Sequence, residues 1–270
     1  MLRPRIIPCL LISDGGLVKT VKFKNPKYVG DPINAVKIFN EKKADELIIL
    51  DIDATKKSLK PNFSLIKKLA AECRMPLCYG GGISTVKEAV MLVDIGVEKV
   101  AISSAAIEKP SLVKELVLAV GSQSVVVVID IFKHKNFLSE SYQVRTHNGL
   151  KIHRDELFSL IKTFQDLGVG EIVLNSIDRD GSMQGYDFEL VNKIKSIASV
   201  PLTFLGGAGS LEHIKELFDQ FGIVGASAGS LFVFKGRYRA VLINYPSIEN
   251  KMKLYLNTIK HKDDKKLTDV

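Results

Sequence analysis

At 270 residues, with nearly half of them hydrophobic and a quarter charged, the chain carries enough apolar side chain for a sizeable core and is not expected to be disordered or of low complexity. Its net charge of +8 is modest for this length and lies among acidic residues through most of the sequence, which argues against a nucleic-acid-binding arm. Cys9, Cys73 and Cys78 have no Cys-x-x-Cys spacing, and there is neither a signal-peptide core nor an apolar run of bilayer length, so the expectation is a cytoplasmic protein without disulfides that is neither secreted nor membrane-inserted.

The first segment is basic. Between Met1 and Gly30 stand Arg3, Arg5, Lys19, Lys22, Lys24 and Lys27 against the acid Asp14, about five of the eight excess charges. A solvated loop is the plain reading; attraction of a phosphorylated ligand is the functional one. Short runs rich in Val and Ile then recur, each followed by Gly or Asp and by a stretch of helical periodicity, as parallel α/β architecture requires. Eight are counted: Arg5 to Leu10, Glu46 to Ile52, Pro76 to Tyr79, Lys99 to Ser103, Ser124 to Asp130, Glu171 to Ser176, Pro201 to Leu205, and Ile223 to Ser227. Amphipathic helices are predicted over Pro32 to Lys43, Phe63 to Glu72, Val86 to Ile95, Ser111 to Val120, Arg154 to Leu167 and Leu211 to Gln220.

The sequence resembles itself at a shift of 125 residues. Glu46 to Asp53 lies over Glu171 to Asp178, and Pro76 with Gly80-Gly81-Gly82 lies over Pro201 with Gly206-Gly207-Ala208-Gly209. Two similar four-strand halves closing on each other give a (β/α)8 TIM barrel. The predicted organisation is one barrel over 1–248 and a C-terminal helix with a basic polar tail over 249–270, frayed from His261 to Val270.

Function in such a barrel sits at the C-terminal ends of the strands. There the sequence places Gly80, Gly81 and Gly82, then Ser103 and Ser104, then Asp178 to Ser182 with Asp180 and Gly181, then Gly206, Gly207 and Gly209, and last Gly229 and Ser230. Glycines let backbone N–H groups approach an anion and hydroxyls add donors, which together make a phosphate cradle. The repeat implies two cradles on opposite sides of the mouth and hence a small ligand with two anionic groups. The five histidines show no metal-ligand spacing, so no metal or cofactor is expected; Ser182 and Ser230 have no base placed beside them, which disfavours a nucleophilic serine.

Arg5-Ile-Ile-Pro-Cys9, Ala44-Asp-Glu-Leu47, Gly80-Gly-Gly-Ile83, Gly121 to Asp130, and Gly170 through Ser176-Ile-Asp-Arg-Asp-Gly181 resemble, in order and spacing, the motifs of the HisF family, the ammonia-using subunit of imidazole glycerol phosphate synthase. The resemblance runs from Met1 to about Phe234. It implies a barrel that receives ammonia at its N-terminal face from a docked HisH-like glutaminase and consumes it at the C-terminal face. It further implies an ammonia gate of Arg5, Glu46, Lys99 and Glu171, a substrate-binding Lys19, and a catalytic pair of aspartates at the ends of strands 1 and 5. Asp130 matches the second of these, but Leu11 stands at the first; Asp14 matches a different family position. With the altered ending Lys235 to Pro246, the chain is similar to the HisF-like paralogues (AglZ type) associated with acetamidino modification of surface sugars.

Three functions are therefore open. The first is amination of an activated, nucleotide-linked N-acyl sugar with ammonia from the glutaminase, in surface-polysaccharide biosynthesis. The second is the cyclase subunit of imidazole glycerol phosphate synthase in histidine biosynthesis, and the third a non-catalytic barrel that activates a glutaminase.

Overall fold

The structure is a computed structural model and describes residues 3–135 and 140–255. Eight parallel strands form its centre: β1 Arg5–Ser13, β2 Leu47–Asp51, β3 Leu77–Gly80, β4 Lys99–Ile102, β5 Val125–Lys135, β6 Glu171–Ser176, β7 Leu202–Leu205 and β8 Gly225–Ala228. Each pairs with its neighbours in chain order, and β8 returns to β1 from Arg5 opposite Gly225 to Pro8 opposite Ala228. The sheet is thus a closed barrel, the (β/α)8 architecture that the eight apolar runs predict.

The strands sort their side chains by the period of two inherent in extended chain. Ile6, Leu10, Leu47, Ile49, Val127, Ile129, Ile172 and Leu174 face outward and pack with the helices. Ile7, Cys9, Leu11, Ile48, Cys78, Ala101, Val126, Val128 and Val173 face inward as a second cluster. Small and β-branched residues prevail on the inner face because eight strands leave a bore only wide enough for side chains to fill.

The helices begin where the sequence supplies caps. Asp31 accepts the Asn34 N–H ahead of Pro32–Glu41, Asn62 caps Phe63–Glu72, and Thr85 with Glu88 forms a capping box on Val86–Asp94. Ser111–Val120, Leu157–Asp166 and Leu211–Phe221 follow the predicted spans closely. A further helix, Phe188–Lys195, lies outside the predicted set. It is short, yet Asp187 caps it and its charges suit the helix dipole, with Glu189 in the first turn and Lys193 and Lys195 in the last.

Three hairpins also depart from the sequence reading. The basic segment read as a loop is an antiparallel hairpin, Gly16–Val21 with Lys24–Gly30, extending from a β1 that runs to Ser13. β5 continues past Asp130 to Lys135 and pairs with Glu140–Thr146. After β8 comes a small hairpin, Phe234–Lys235 with Ala240–Val241.

The chain returns to the barrel floor near its end. Asp45, just before β2, accepts hydrogen bonds from Ile6 N at 3.0 Å, Lys251 Nζ at 2.9 Å and Tyr255 OH at 2.5 Å, while Tyr245 OH donates to Ile6 O at 2.8 Å. Residues 248–255 are helical, with Lys251, Leu254 and Tyr255 buried; the predicted frayed end, His261 to Val270, lies outside the described residues. Among the described residues no helix is long and apolar enough to cross a membrane, and no group of three or more His, Cys, Asp or Glu side chains is placed to hold a metal ion. Replacing Asp45 with Ala leaves the buried Lys251 ammonium with Lys43 O but no carboxylate, and removes the acceptor of the Ile6 N–H. Asp45→Ala is expected to lower stability by about 3 kcal/mol in urea unfolding and to speed amide exchange over residues 242–255. An unchanged midpoint with unchanged exchange would show that Asp45 does not hold this segment.

Candidate functional site

The two ends of the barrel differ because the residues that begin and end its strands differ. At the floor, Arg5, Glu46, Lys99 and Glu171 share the inward parity of Ile7, Ile48, Ala101 and Val173, two residues further along each strand. They meet inside. Arg5 pairs with Glu46 at 2.5 Å and Glu171 at 2.7 Å, and Lys99 pairs with the same carboxylates at 2.8 and 2.9 Å. Charge alternates around a closed ring, which is how buried ions are kept from being isolated. Burial works to raise the Glu171 pKa, but hydrogen bonding to Arg5 and the charges of Arg5 and Lys99 hold it down at about 2. Burial likewise opposes the charges of Arg5 and Lys99, and the two glutamates outweigh it, raising both pKa values. Thr203 on β7, which sequence reasoning missed, donates to Glu171 at 2.5 Å from the same inner face.

At the other end, the first hairpin is fastened across the mouth by Asp180. One of its oxygens accepts from Thr20 Oγ1 at 2.7 Å and Phe23 N at 3.2 Å, and the other lies 3.4 Å from Lys19 Nζ. Asp180 was expected among the anion-binding residues. It is a nearly buried anchor instead, its oxygens engaged by the hairpin and its charge unsuited to contact with phosphate. Lys19 is buried beside β8, where a Cβ on Gly229 would lie 2.7 Å from Nζ. Asp14 points away to Lys57 at 2.6 Å and is exposed.

The remaining predicted residues fall into two groups, as the repeat requires. Gly80, Gly81, Gly82, Ser103 and Ser104 line a cavity of about 440 Å³ together with Leu11, Leu50, Val128, Asp130 and Asn175. Gly181, Ser182, Gly206, Gly207, Gly209, Gly229 and Ser230 gather at the ends of β6, β7 and β8 on the far side. Two of the glycines have steric reasons of their own. Gly81 has φ +123°, and a Cβ there would lie 2.6 Å from Asp51 O; at Gly207, with φ +103°, it would lie 2.0 Å from Gly185 O. Each expected cradle thus coincides with a place where one βα loop stacks on the next, in both halves of the barrel.

Ser103 Oγ and Ser230 Oγ, one in each cradle, are buried without a hydrogen-bond partner among the described residues. The other buried side-chain atoms in that condition are Arg145 Nε and Arg239 Nε, on the second and third hairpins. A buried, unpaired donor is costly, so such atoms point to something polar that completes them. Ser104 is placed differently: its Oγ accepts the His147 N–H at 2.9 Å and ties the second hairpin over the first cradle.

Asp130 lies between these features, half-buried on the inner face of β5. Burial pushes its carboxyl up to about 7; Asn175 Nδ2, donating at 2.8 Å from the paired position on β6, limits the rise, and the charge of Asp180 adds to it. Leu11, on the inner face of β1, lines the same cavity as an apolar wall. Asn175 and Asp51 were not foreseen. Asp51 also lines the cavity, with its pKa raised by burial against hydrogen bonds from the backbone N–H groups of Asp53 and Ala54. An amide inside a strand of buried apolar residues was the available signal for Asn175, since a buried amide needs a partner.

Residues 5–239 match the model of the family described as histidine biosynthesis protein. A protein of Leptospira borgpetersenii, provisionally named imidazole glycerol phosphate synthase subunit HisF, is 56% identical across 94% of this chain and 100% of its own length. The chain belongs to the HisF family. Similarity to a Pseudomonas aeruginosa protein, also provisionally named as a subunit of that synthase, is 50% identity over 93% of this chain and 99% of the relative. The imidazole glycerol phosphate synthase subunit HisF of Streptococcus mutans is 38% identical over 86% of this chain and 91% of its own.

For this HisF family member, the raised Asp130 pKa carries a definite sign. A carboxyl whose folded pKa exceeds its unfolded value stabilises the fold fully below about pH 4, and that contribution is lost as pH rises through about 7. Asp130→Asn is therefore expected to gain stability relative to the parent as pH rises from 5 to 8, by up to about 3 kcal/mol in denaturant unfolding. A difference independent of pH over that window would contradict the assignment.

Proposed function

We propose that this chain is the ammonia-consuming synthase subunit of a glutamine amidotransferase complex, paired with a HisH-like glutaminase, and that it aminates an activated N-acyl group on an anionic, nucleotide-linked sugar. The observation that carries this reading is the composition of the mouth. Asp130, a half-buried carboxyl with pKa about 7, stands with apolar Leu11 in a cavity that reaches the unpaired Ser103 hydroxyl. Ring closure served by two facing carboxylates has only one of them here, whereas amidine formation needs one proton acceptor.

The chemistry follows from that placement. Ammonia adds to the acyl carbon, whose oxygen carries an activating group; the C–N bond forms, the oxygen leaves with the activating group, and the proton lost by ammonia passes to the Asp130 carboxylate. At neutral pH, Asp130 is near its midpoint, so it serves in both the accepting and the donating form. The resemblance to HisF gives the floor ring of Arg5, Glu46, Lys99 and Glu171 the role of ammonia gate, and the bore of Cys9, Cys78, Ala101, Val126, Val128 and Val173 offers few polar groups to hold ammonia on its way. The two cradles, with Lys19, take the anionic groups of the acceptor.

The names of the relatives favour a second reading, the cyclase subunit of imidazole glycerol phosphate synthase. Complementation separates the two. The amination reading expects no growth of a histidine auxotroph lacking its own HisF, and growth at the normal rate would overturn it. With the glutaminase, glutamine, a nucleoside triphosphate to activate the acyl oxygen and a nucleotide-linked N-acetyl sugar, the amination reading expects aminated product, a loss of at least about 100-fold in Asp130→Asn, and a pH profile with an inflection near 7 in the parent alone. Absence of aminated product would count against it.

A further inference from the structure

Of the four buried unpartnered atoms at the mouth, Arg239 Nε points beyond the second cradle. Arg239 lies on the turn of the third hairpin with φ +50°, an uncommon conformation for a residue with a side chain. Its Nη2 donates to Gly181 O at 2.8 Å, and its guanidinium sits 5.2 Å from the centre of the Phe234 ring. Lys27, on the first hairpin, places its Nζ 5.5 Å from the centre of the same ring.

Two cations on one aromatic ring repel each other, and neither is in an ion pair among the described residues. The carboxylate of Asp180, next to Gly181, is turned to Lys19, Thr20 and the Phe23 N–H. Phe234 lends each cation an attractive face, Arg239 is half-buried and Lys27 exposed, and an oxyanion reaching both would offset the part of their repulsion that solvent leaves unscreened. Arg239 Nε–H has no acceptor among the described residues, and Nη2 carries a second hydrogen besides the one given to Gly181 O, so the guanidinium still has donors to offer an oxyanion. The location is continuous with the second cradle: Gly181 receives Arg239, Asp180 holds Lys19, Lys19 lies against Gly229, and Ser230 follows with its unpaired hydroxyl.

We propose that Arg239 and Lys27, presented over Phe234, form an outer oxyanion subsite contiguous with the second cradle, so that this end of the mouth takes a diphosphate ester rather than a single phosphate. The proposal deepens the acceptor reading above and rests on it for biological meaning, but the site itself is built from residues that the amination step does not use. One phosphoryl group reaches the inner cradle of Lys19, Gly207, Gly229 and Ser230, and the adjoining one reaches Arg239 and Lys27.

Calorimetric titration of the full chain with pyrophosphate and with inorganic phosphate tests it, using the parent, Arg239→Gln, Arg239→Lys, Lys27→Gln and, as a charge control on a remote exposed helix position, Lys67→Gln. The parent is expected to bind pyrophosphate at least about tenfold more tightly than phosphate. Arg239→Gln should lose about tenfold for pyrophosphate and less than about twofold for phosphate, with Lys27→Gln following in the same direction, Arg239→Lys intermediate, and Lys67→Gln unchanged. The Arg239 Nε–H resonance should shift on adding pyrophosphate to the parent. Absence of pyrophosphate binding, equal affinity of the parent for the two anions, or an equal loss for both in Arg239→Gln would overturn the proposal, the last by making Arg239 a prop for the Gly181 loop. Neither the glutaminase nor Asp130 takes part in the titration. Selective pyrophosphate binding therefore stands even if no amination is found, and amination stands if the selectivity is absent.

Discussion

Four charged side chains buried inside a barrel have to satisfy one another, and that requirement fixes much of this molecule. Arg5, Glu46, Lys99 and Glu171 come from β1, the residue before β2, β4 and β6, with Thr203 added from β7. Their ring closes only if every contributing strand holds its inward parity, because a slip of one residue would turn a charge into the apolar layer beneath the helices. The ring is therefore a register lock for the whole sheet. The alternation above it, Ile7 and Cys9 inward against Ile6 and Leu10 outward, follows from the same phase.

The mouth obeys the opposite rule. Where the floor ring pairs its four charges, the mouth leaves two serine hydroxyls and two arginine Nε atoms unpaired among the described residues, and it holds a carboxyl whose pKa burial has lifted to about 7 against a single amide donor. Such groups are tolerated in a folded protein where the surrounding structure is rigid enough to carry their cost. The rigidity here comes from stacked βα loops, with Gly185 against Gly207 and Asp51 against Gly81, and from hairpins fastened by Asp180 and Ser104. The fasteners and the proposed binding groups are distinct residues even where they are neighbours in sequence, as Asp180 and Gly181 are.

Strands were legible because each is an apolar run bounded by Gly, Pro or Asp, and the half-barrel repeat made closure legible as well. The hairpins were not, since Lys24–Gly30 is largely exposed and its register comes from pairing rather than from an apolar face. Phe188–Lys195 escaped notice because it is short and its apolar stripe is narrow, although its cap and charges were in view. The identities of the site residues were visible as glycines and hydroxyls after strands, but roles were harder to read. Asp180 looked like part of a cradle and is an anchor, while Asn175, Thr203, Arg145 and Arg239 matter through partners, or a lack of partners, that only three-dimensional contact reveals.

The fastening of β1 has a consequence for how the chain matures. Ser227 Oγ donates to Ile7 O across 220 residues of sequence, and Tyr245 OH donates to Ile6 O across 239. During synthesis the first strand emerges long before either donor exists, so the Arg5 to Pro8 edge that meets β8 must wait through most of translation, with β1 paired only to β2 and to the adjoining strand Gly16–Val21. Long-range closure of this kind is slow and leaves strand edges exposed to wrong partners. The basic hairpin that continues β1, rich in lysine and carrying Pro26, puts charge and a missing N–H on the outlying strand during that interval, features that discourage edge-to-edge association before the barrel closes.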